Sequence, residues 1–539
     1  MPGVPATAPS DPLGDPEGTE LLRDLVAIHP SNLEDPVRDR YEKPRYRAAV
    51  ERIQRAARAW GLTTRVYDPV DDPECAVALR GIPRPNLIVD LEVAAPERVL
   101  VLAHYDVVPV PEEDLGRWKS PPRELTPRAD GRWYGRGAND DLGSGVVATL
   151  LAMKRLARGP RPRRNVRLLI CCDEETGGAG GVECVKERDD RLPEGDPERF
   201  LFGHVALIPD GSPHATPASS GVGFLDASFA GPVPLSTALA YGARLEAIHA
   251  EVARQRSRYP SPDYPDFGAP APVLTGRATL TRADLGPVDG SGPVPRLAAA
   301  HAETDAANFI PEAMTLAFRG PPGARKELLE AMRHRLPTGF RLAPAENTAL
   351  PRSPDVDLVQ VIGEGGHGGS PHRAKNPVPV ALSLMRAAVA QGELDGAIVA
   401  PATFAVDLRL IPEATFAEGM DPVLEGIRAW ARAECPSARI DAPSGRCRTG
   451  YALPLDDPHL RRIAAILEKT LDAHGSFGEY GGTDASSLSG VRTPDRRPLP
   501  AIVFGSMDRA SRIHDAEESV DPQLLAGVAE TIRRFVAED

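Results

Sequence analysis

Five consecutive apolar residues, Val99 to Ala103, run straight into His104-Tyr105-Asp106. No other stretch constrains the fold as strongly. A strand with no wet face must be covered on both sides, and a largely parallel sheet between layers of helices does this. Side chains alternate across a strand, so His104 and Asp106 share one face while Tyr105 takes the other. A metal-ligating histidine usually donates its second ring N–H to a carboxylate, a role open to Asp106. Read alone, His-x-Asp fits a structural histidine at a strand end equally well.

The same pattern of a strand ending in ligand-type residues returns twice. Val166 to Cys172 ends in Asp173-Glu174-Glu175, and His204 to Pro209 ends in Asp210. Three successive acids repel one another unless a cation neutralises them or water solvates them, and a solvated acidic loop is the alternative. Ligands of open α/β sheets bind beyond the carboxyl ends of the strands, where all of these residues stand. Between the first two strands, the glycine-rich turn Trp133 to Asp141 delivers Asp140 just before a helical pattern, Gly145 to Leu156. A carboxylate is favoured there by the helix dipole, and a simple helix cap is the alternative.

Helical spacing covers Thr19 to Ala27 and Arg45 to Trp60, and strand patterns cover Thr63 to Tyr67, Asn86 to Leu91 and Gly221 to Phe229. A helix is predicted over Thr237 to Gln255, but residues 231–296 receive no role. Two strand–helix–strand units follow, Met314 to about Phe340 and Thr403 to about Ile440, suggesting an internally duplicated α+β domain. Between them lie the strand Asp357 to Ile362, the loop Gly365 to His372, which presents His367 between glycines, and the helix Pro377 to Ala390. From about Gly450 the chain returns to the first domain through the helix Pro458 to His474, the strand Ala501 to Phe504, Ile513-His514 and a last helix.

Composition narrows the class of partner. The chain has 539 residues, 63 Lys+Arg against 76 Asp+Glu and a formal charge of −13, which argues against nonspecific nucleic-acid binding and anionic membrane surfaces. No window approaches the ~18 apolar residues of a membrane span, and Met1 to Gly18 has no signal-peptide pattern. Six sparse cysteines without CxxC spacing argue against a disulfide scaffold or a zinc ribbon. A small-molecule substrate and a cytoplasmic location are expected.

Together His104, Asp140, Glu175, Asp210 and His514 form a set of imidazoles and carboxylates suited to Zn²⁺ or a similar divalent ion. Five ligands exceed one closed tetrahedral site, and two ions sharing one carboxylate use them all. The motifs Ala103-His104-Tyr105-Asp106, Gly135-Arg136-Gly137-Ala138-Asn139-Asp140, Asp173-Glu174-Glu175, Asp210, Gly366-His367 with Asn376-Pro377, and His514 with Glu518 resemble, in this order, those of a known family. It is the dizinc aminoacylase and carboxypeptidase G family, which includes acetylornithine deacetylase, succinyl-diaminopimelate desuccinylase, carnosinases and PepV-type dipeptidases. Asn308-Phe309-Ile310-Pro311, Val406-Asp407-Leu408-Arg409 and the long insert are most similar to the PepV-type branch.

The resemblance implies an α/β fold, with a mixed-sheet catalytic domain carrying helices on both faces and an inserted α+β lid domain. The boundaries are then catalytic parts over 19–222 and 448–539 and the lid over 223–447, while 1–18, rich in Pro, Gly and Asp, reads as a flexible tail. It implies two divalent ions, zinc or else cobalt or manganese. His104 and Asp210 hold one ion, Glu175 and His514 the other, and Asp140 bridges them. Glu174 is then the general base, Asp106 orients His104, and His367 acts from the lid of a monomer, a homodimer being the alternative. Arg409, Asn308, Gly482 and Thr483 contact the substrate, a dipeptide or an N-acyl amino acid. The implied reaction is amide hydrolysis by metal-activated water; an N-acyl amino acid deacylase and a non-catalytic metal- or peptide-binding pseudoenzyme are the rival readings. One departure is Leu142, where the family usually has Lys after the bridging Asp.

Overall fold

The computed structural model describes residues 13–31, 44–75, 83–110, 112–229, 231, 233–252, 257–260, 274–281, 294–302, 309–345, 354–367, 374–396, 398–399, 402–410, 412, 421–434, 436, 438–441, 447–479 and 482–538. They divide into two compact units. The first comprises Met1–Ala218, Tyr451–Glu479 and Thr483–Asp539, and the second Ser219–Gly450 with Tyr480–Gly482.

In the first unit, helix α1 (Pro16–Ile28) begins before Thr19, inside the stretch expected as a tail, because Pro stands at its first position and the Asp15 carboxylate accepts from the Gly18 N–H, and Leu13 just before it is buried in the core. Helix α2 (Pro44–Ala59) and strands β1 (Thr63–Tyr67), β2 (Asn86–Leu91) and β3 (Arg98–His104) follow. Next come the two-residue strands β4 (Thr126–Pro127) and β5 (Trp133–Tyr134), helix α3 (Ala148–Arg158), strand β6 (Asn165–Cys171), helix α4 (Val182–Asp190) and strands β7 (Val205–Ile208) and β8 (Ala215–Ser219). The sheet order is β1, β2, β6, β3, β7, then Ala501–Val503, β8 and Tyr451–Ala452, with Ser476–Glu479 also on β8. β3 runs parallel to β6 and β7, and β7 parallel to Ala501–Val503, whereas β1, β2 and β6 pair antiparallel. The result is a mixed sheet with its parallel strands at the centre.

Both faces of β3 are buried, as its apolar run requires. Val99, Val101 and Ala103 join a core with α1, α2, α3 and the last helix, Pro522–Ala537. Leu100 and Leu102 face a second core built with Val182 and Val185 of α4 and with Leu488. The segment before α3 differs from expectation: Leu142–Val147 forms a π-helical turn and regular helix begins only at Ala148. The backbone closes tightly there, since a Cβ on Gly143 would lie 2.1 Å from the Ala138 carbonyl oxygen and one on Gly145 1.9 Å from Asp141 Oδ2. Such π turns recur at functional sites.

One cysteine pairing was not expected. Cys75 and Cys184 form a disulfide, their Cα atoms 6.5 Å apart. Spacing in sequence does not reveal it because tertiary structure brings α4 to the segment after β1.

Among the described residues, the second unit holds a nine-stranded sheet of antiparallel pairs. Its order is Arg341–Pro344, Val356–Ile362, Ala313–Arg319, Arg296–Ala302, Leu274–Thr281, Ala402–Leu410, Gly221–Phe229 and Ala438–Asp441, with Cys447–Arg448 also on Gly221–Phe229. Helices Leu235–Val252, Pro322–Arg335, Pro377–Ala390 and Asp421–Glu434 contribute to its core. The stretch without an assigned role thus supplies a helix and the central strand Leu274–Thr281, and Arg296–Ala302 beside it is a strand the apolar pattern does not announce. Its sequence, Arg-Leu-Ala-Ala-Ala-His-Ala, has none of the β-branched residues that mark strands. Among the described residues no helix is long and apolar enough to cross a membrane.

Candidate metal centre

Because β3, β6 and β7 are parallel neighbours, their carboxyl ends form one row. His104 ends β3, Asp173 to Glu175 follow β6, and Asp210 follows β7. Two clusters result. His104, Asp140 and Asp210 offer ligand atoms within 4.8 Å of one another, and so do Asp140, Glu175 and His514. His104 Nε2 lies 3.4 Å from Asp140 Oδ1 and 3.8 Å from Asp210 Oδ2; His514 Nε2 lies 2.8 Å from Asp140 Oδ2 and 3.1 Å from Glu175 Oε2. Asp140 presents one oxygen to each side.

The orientation of His104 comes from close by. Its Nδ1 lies 3.0 Å from the Asp106 carbonyl oxygen and 3.5 Å from the Asp106 carboxylate, which leaves Nε2 facing the cluster. The Asp106 carboxylate accepts the backbone N–H of Glu174 at 3.1 Å and of Glu175 at 3.2 Å. It therefore holds the two acids as much as the histidine.

Asp140 sits on a loop that Glu518 cradles. The Glu518 carboxylate is fully buried, binds Arg136 Nη1 at 2.6 Å and accepts the N–H groups of Gly137, Asn139 and Asp140 at 3.1 to 3.3 Å. Ser519–Val520 pairs with β5, and this brings Glu518 opposite Gly135. Leu142 packs in the apolar core against Gly137, so Asp140 is held from the backbone side. The Asp140–Asp141 peptide is cis, and Asp141 Oδ2 accepts the His104 N–H at 3.1 Å.

The electrostatics suit cations. Burial pushes Glu175 up to about 7 despite His514, and raises Asp210 and Asp141 well above the usual carboxylate range, with neighbouring acids adding to the effect. Burial works against the charge on His104 and His514, but the carboxylates around each hold both well above an ordinary histidine. Burial also raises Asp140, yet its contacts with both histidines dominate and hold it below the usual range. Asp210 Oδ1 is buried with no hydrogen-bond partner among the described residues. An orphaned acceptor beside imidazole and carboxylate donors fits divalent ions.

The other predicted residues are placed as follows. Asn308 lies outside the described residues, and His367 is placed by its backbone, Gly366–His367 pairing with Phe309–Ile310. In the second unit Arg409 is buried, holding Asp407 through Nε at 2.6 Å and Nη2 at 2.8 Å beneath the Phe224 ring. Gly482 is exposed. Thr483 is buried, and its Oγ1 and carbonyl accept from Ala485 and Ser486 at the start of a short 3-10 turn. Glu518 is the residue whose importance the motif did not convey, its one signal being its place four positions after His514.

Comparison with known proteins agrees with this geometry. Over 198 residues the chain is 26% identical to an uncharacterised metallohydrolase of Methanocaldococcus jannaschii, covering 36% of this chain and 44% of that one. Over 96 residues it is 40% identical to succinyl-diaminopimelate desuccinylase of Acidovorax ebreus, covering 18% and 24%. Over 151 residues it is 31% identical to cysteinylglycine-S-conjugate dipeptidase of Corynebacterium striatum, covering 28% of each. In each case the match spans less than half of the relative. Human carnosine dipeptidase 1 shares the fold at a TM-score of 0.52 and 13% identity, covering 97% of this chain and 95% of that one. The dipeptidase Dug1p of Saccharomyces cerevisiae does so at 0.53 and 12%, with the same coverage. The profile of peptidase family M20/M25/M40 matches residues 100–538, the span that carries every ligand-type residue of the two clusters, and the chain belongs to that family of metallopeptidases and related hydrolases.

Proposed function

We propose that the protein hydrolyses an amide bond in a dipeptide or related small substrate bearing a free carboxylate. The observation that carries this reading is Asp140, shared between two clusters that each contain a histidine and a further carboxylate, with Glu174 on the turn beside them. His104 and Asp210 would hold one divalent ion and Glu175 and His514 the other, with Asp140 between them; zinc suits the donors, and cobalt or manganese would serve. Such ions lower the pKa of water to about 7 and polarise a carbonyl.

Glu174 is the general base in this reading. It takes a proton from the attacking water and returns it to the leaving amine nitrogen. Asp106 fixes the backbone of that base through its bonds to the Glu174 and Glu175 amides. His367 supplies a donor to the developing oxyanion, and Arg409, its guanidinium plane set by Asp407, takes the substrate carboxylate by the two-point geometry open to Arg. Asn308, Gly482 and Thr483 add polar contacts. The second unit acts as a lid, His367 works within its own chain in a monomer, and the setting is the cytoplasm.

N-acyl amino acid deacylation is the second reading, favoured by the similarity to a desuccinylase. A panel of dipeptides and N-acyl amino acids, run on protein reconstituted with each metal, separates the two. Glu174→Gln is expected to keep its metal and lower kcat by about 10²–10⁴-fold. Wild-type turnover in that variant removes Glu174 from the base role.

A further inference from the structure

Glu174 and Glu175 stand on a turn that begins at Asp173, whose φ of 59° lies in the left-handed region. A non-glycine residue persists there only where its surroundings hold it. Asp173 is held through a buried side chain. Its Oδ2 accepts from Arg84 Nε in a buried ion pair, and its Oδ1 accepts the Tyr46 hydroxyl at 3.1 Å.

Arg84 is itself fixed. Its N–H donates to Asp68 Oδ1 at 2.9 Å, the Pro85 carbonyl accepts the Tyr105 hydroxyl at 2.8 Å, and Asn86 ties the Arg84 and Gly180 carbonyls to the Cys172 N–H. Gly180 provides the clearance for the guanidinium. A Cβ there would lie 2.0 Å from Arg84 Cδ and 2.5 Å from Asp173 Oδ2. The Asp173 carbonyl then accepts the Gly178 N–H at 2.5 Å, closing the turn, while Asp106 grips the Glu174 and Glu175 amides.

We propose that Arg84 and Tyr46 are positioning residues for Glu174 and Glu175, acting through Asp173, so that the turn is gripped by Asp106 at its amides and by Arg84 and Tyr46 at the Asp173 carboxylate. This rests on the reading of Glu174 as base and Glu175 as metal ligand. Without Arg84, Asp173 loses the buried charge-assisted bond from Nε, and the turn is gripped less firmly on that side. A shift of about 1 Å in a base is enough to cost ~10²-fold in rate.

The test compares Arg84→Met, Arg84→Lys, Tyr46→Phe and Gly180→Ala with Arg167→Met, which breaks another buried ion pair of the same sheet, Arg167 with Asp90. Arg84→Met is expected to lower kcat by about 10²-fold with little change in KM. Tyr46→Phe, which removes one hydrogen bond, should lower it by about fivefold. Arg84→Lys and added methylguanidinium should each restore part of the loss. Zinc bound per chain, read by elemental analysis, should fall in Arg84→Met and Gly180→Ala. Arg167→Met should lower Tm yet keep kcat and zinc at the wild-type values. If Arg84→Met fails to fold, Tyr46→Phe and Gly180→Ala decide. The proposal is overturned if these variants lose no more kcat or zinc than Arg167→Met while Glu174→Gln is inactive. An active Glu174→Gln overturns instead the reading on which it rests.

Discussion

Single residues at this centre are defined by neighbours far away in sequence. His104 was legible because an apolar strand ran into it, and Asp210 for the same reason. The part played by Glu518, named only within a motif, was not, and neither was Arg84 at all, since a buried carboxylate or guanidinium leaves no periodic trace and shows its role only through the groups it touches. His29 is a further case. It ends α1 with a φ of 52°, buried, and neither ring nitrogen has a hydrogen-bond partner among the described residues. Burial pushes its pKa down to about 3, and Arg123, Arg136 and Arg45 add to the effect. Between pH 3 and about 6.5 the unfolded chain therefore binds a proton that the folded chain refuses. Stability from this group is complete above about 6.5 and falls as pH drops towards 3, at up to ~1.4 kcal/mol per pH unit. His29→Asn, which tolerates the left-handed backbone, should flatten that acid limb in urea unfolding curves measured across the window; an unchanged limb would reject the assignment.

At the scale of elements, the strands and helices that the apolar pattern announced are present, mostly within a few residues of their expected ends. The helix Pro377–Ala390 starts at its proline, with Asn376 accepting the Val378 N–H as cap. What the pattern could not show was the π turn at Leu142–Val147 or the alanine-rich strand Arg296–Ala302, because the first depends on backbone approach at glycines and the second on neighbours that cover small side chains. The loop Gly135 to Asp140 depends on an element nearly four hundred residues later. Glu518→Ala would leave Arg136 buried without its partner and three amides without an acceptor. We expect a loss of about 3–5 kcal/mol in urea unfolding, with zinc affinity falling alongside it in competition with a chromogenic chelator. Glu518→Gln, which keeps an acceptor, should lose less of both.

Across the whole molecule, the chain leaves the first unit after Ala218, builds the second, and returns at Tyr451. In the second unit's sheet, the two strand–helix–strand units take mirrored places. Ala313–Arg319 and Arg341–Pro344 flank Val356–Ile362 on one side, as Ala402–Leu410 and Ala438–Asp441 flank Gly221–Phe229 on the other. In the first unit the disulfide spans 109 positions. Cys184→Ser should lower stability by about 2–4 kcal/mol through the freed unfolded chain, seen as a lower Tm that matches the wild type measured under reductant. Equal Tm values in the oxidised proteins would mean that the bond does not form in solution.

That bond also changes what the first unit is as a covalent object. Residues 75 to 184 form a closed ring, and His104, Asp106, Asp140, Glu174 and Glu175 are all members of it, whereas Asp210 and His514 lie on the tail that leaves it. A protease that nicks the ring once opens it to a branched chain without releasing a fragment. The cut molecule then runs as one band until the sulfurs are reduced, and all seven residues of the centre and its immediate support stay in one covalent molecule.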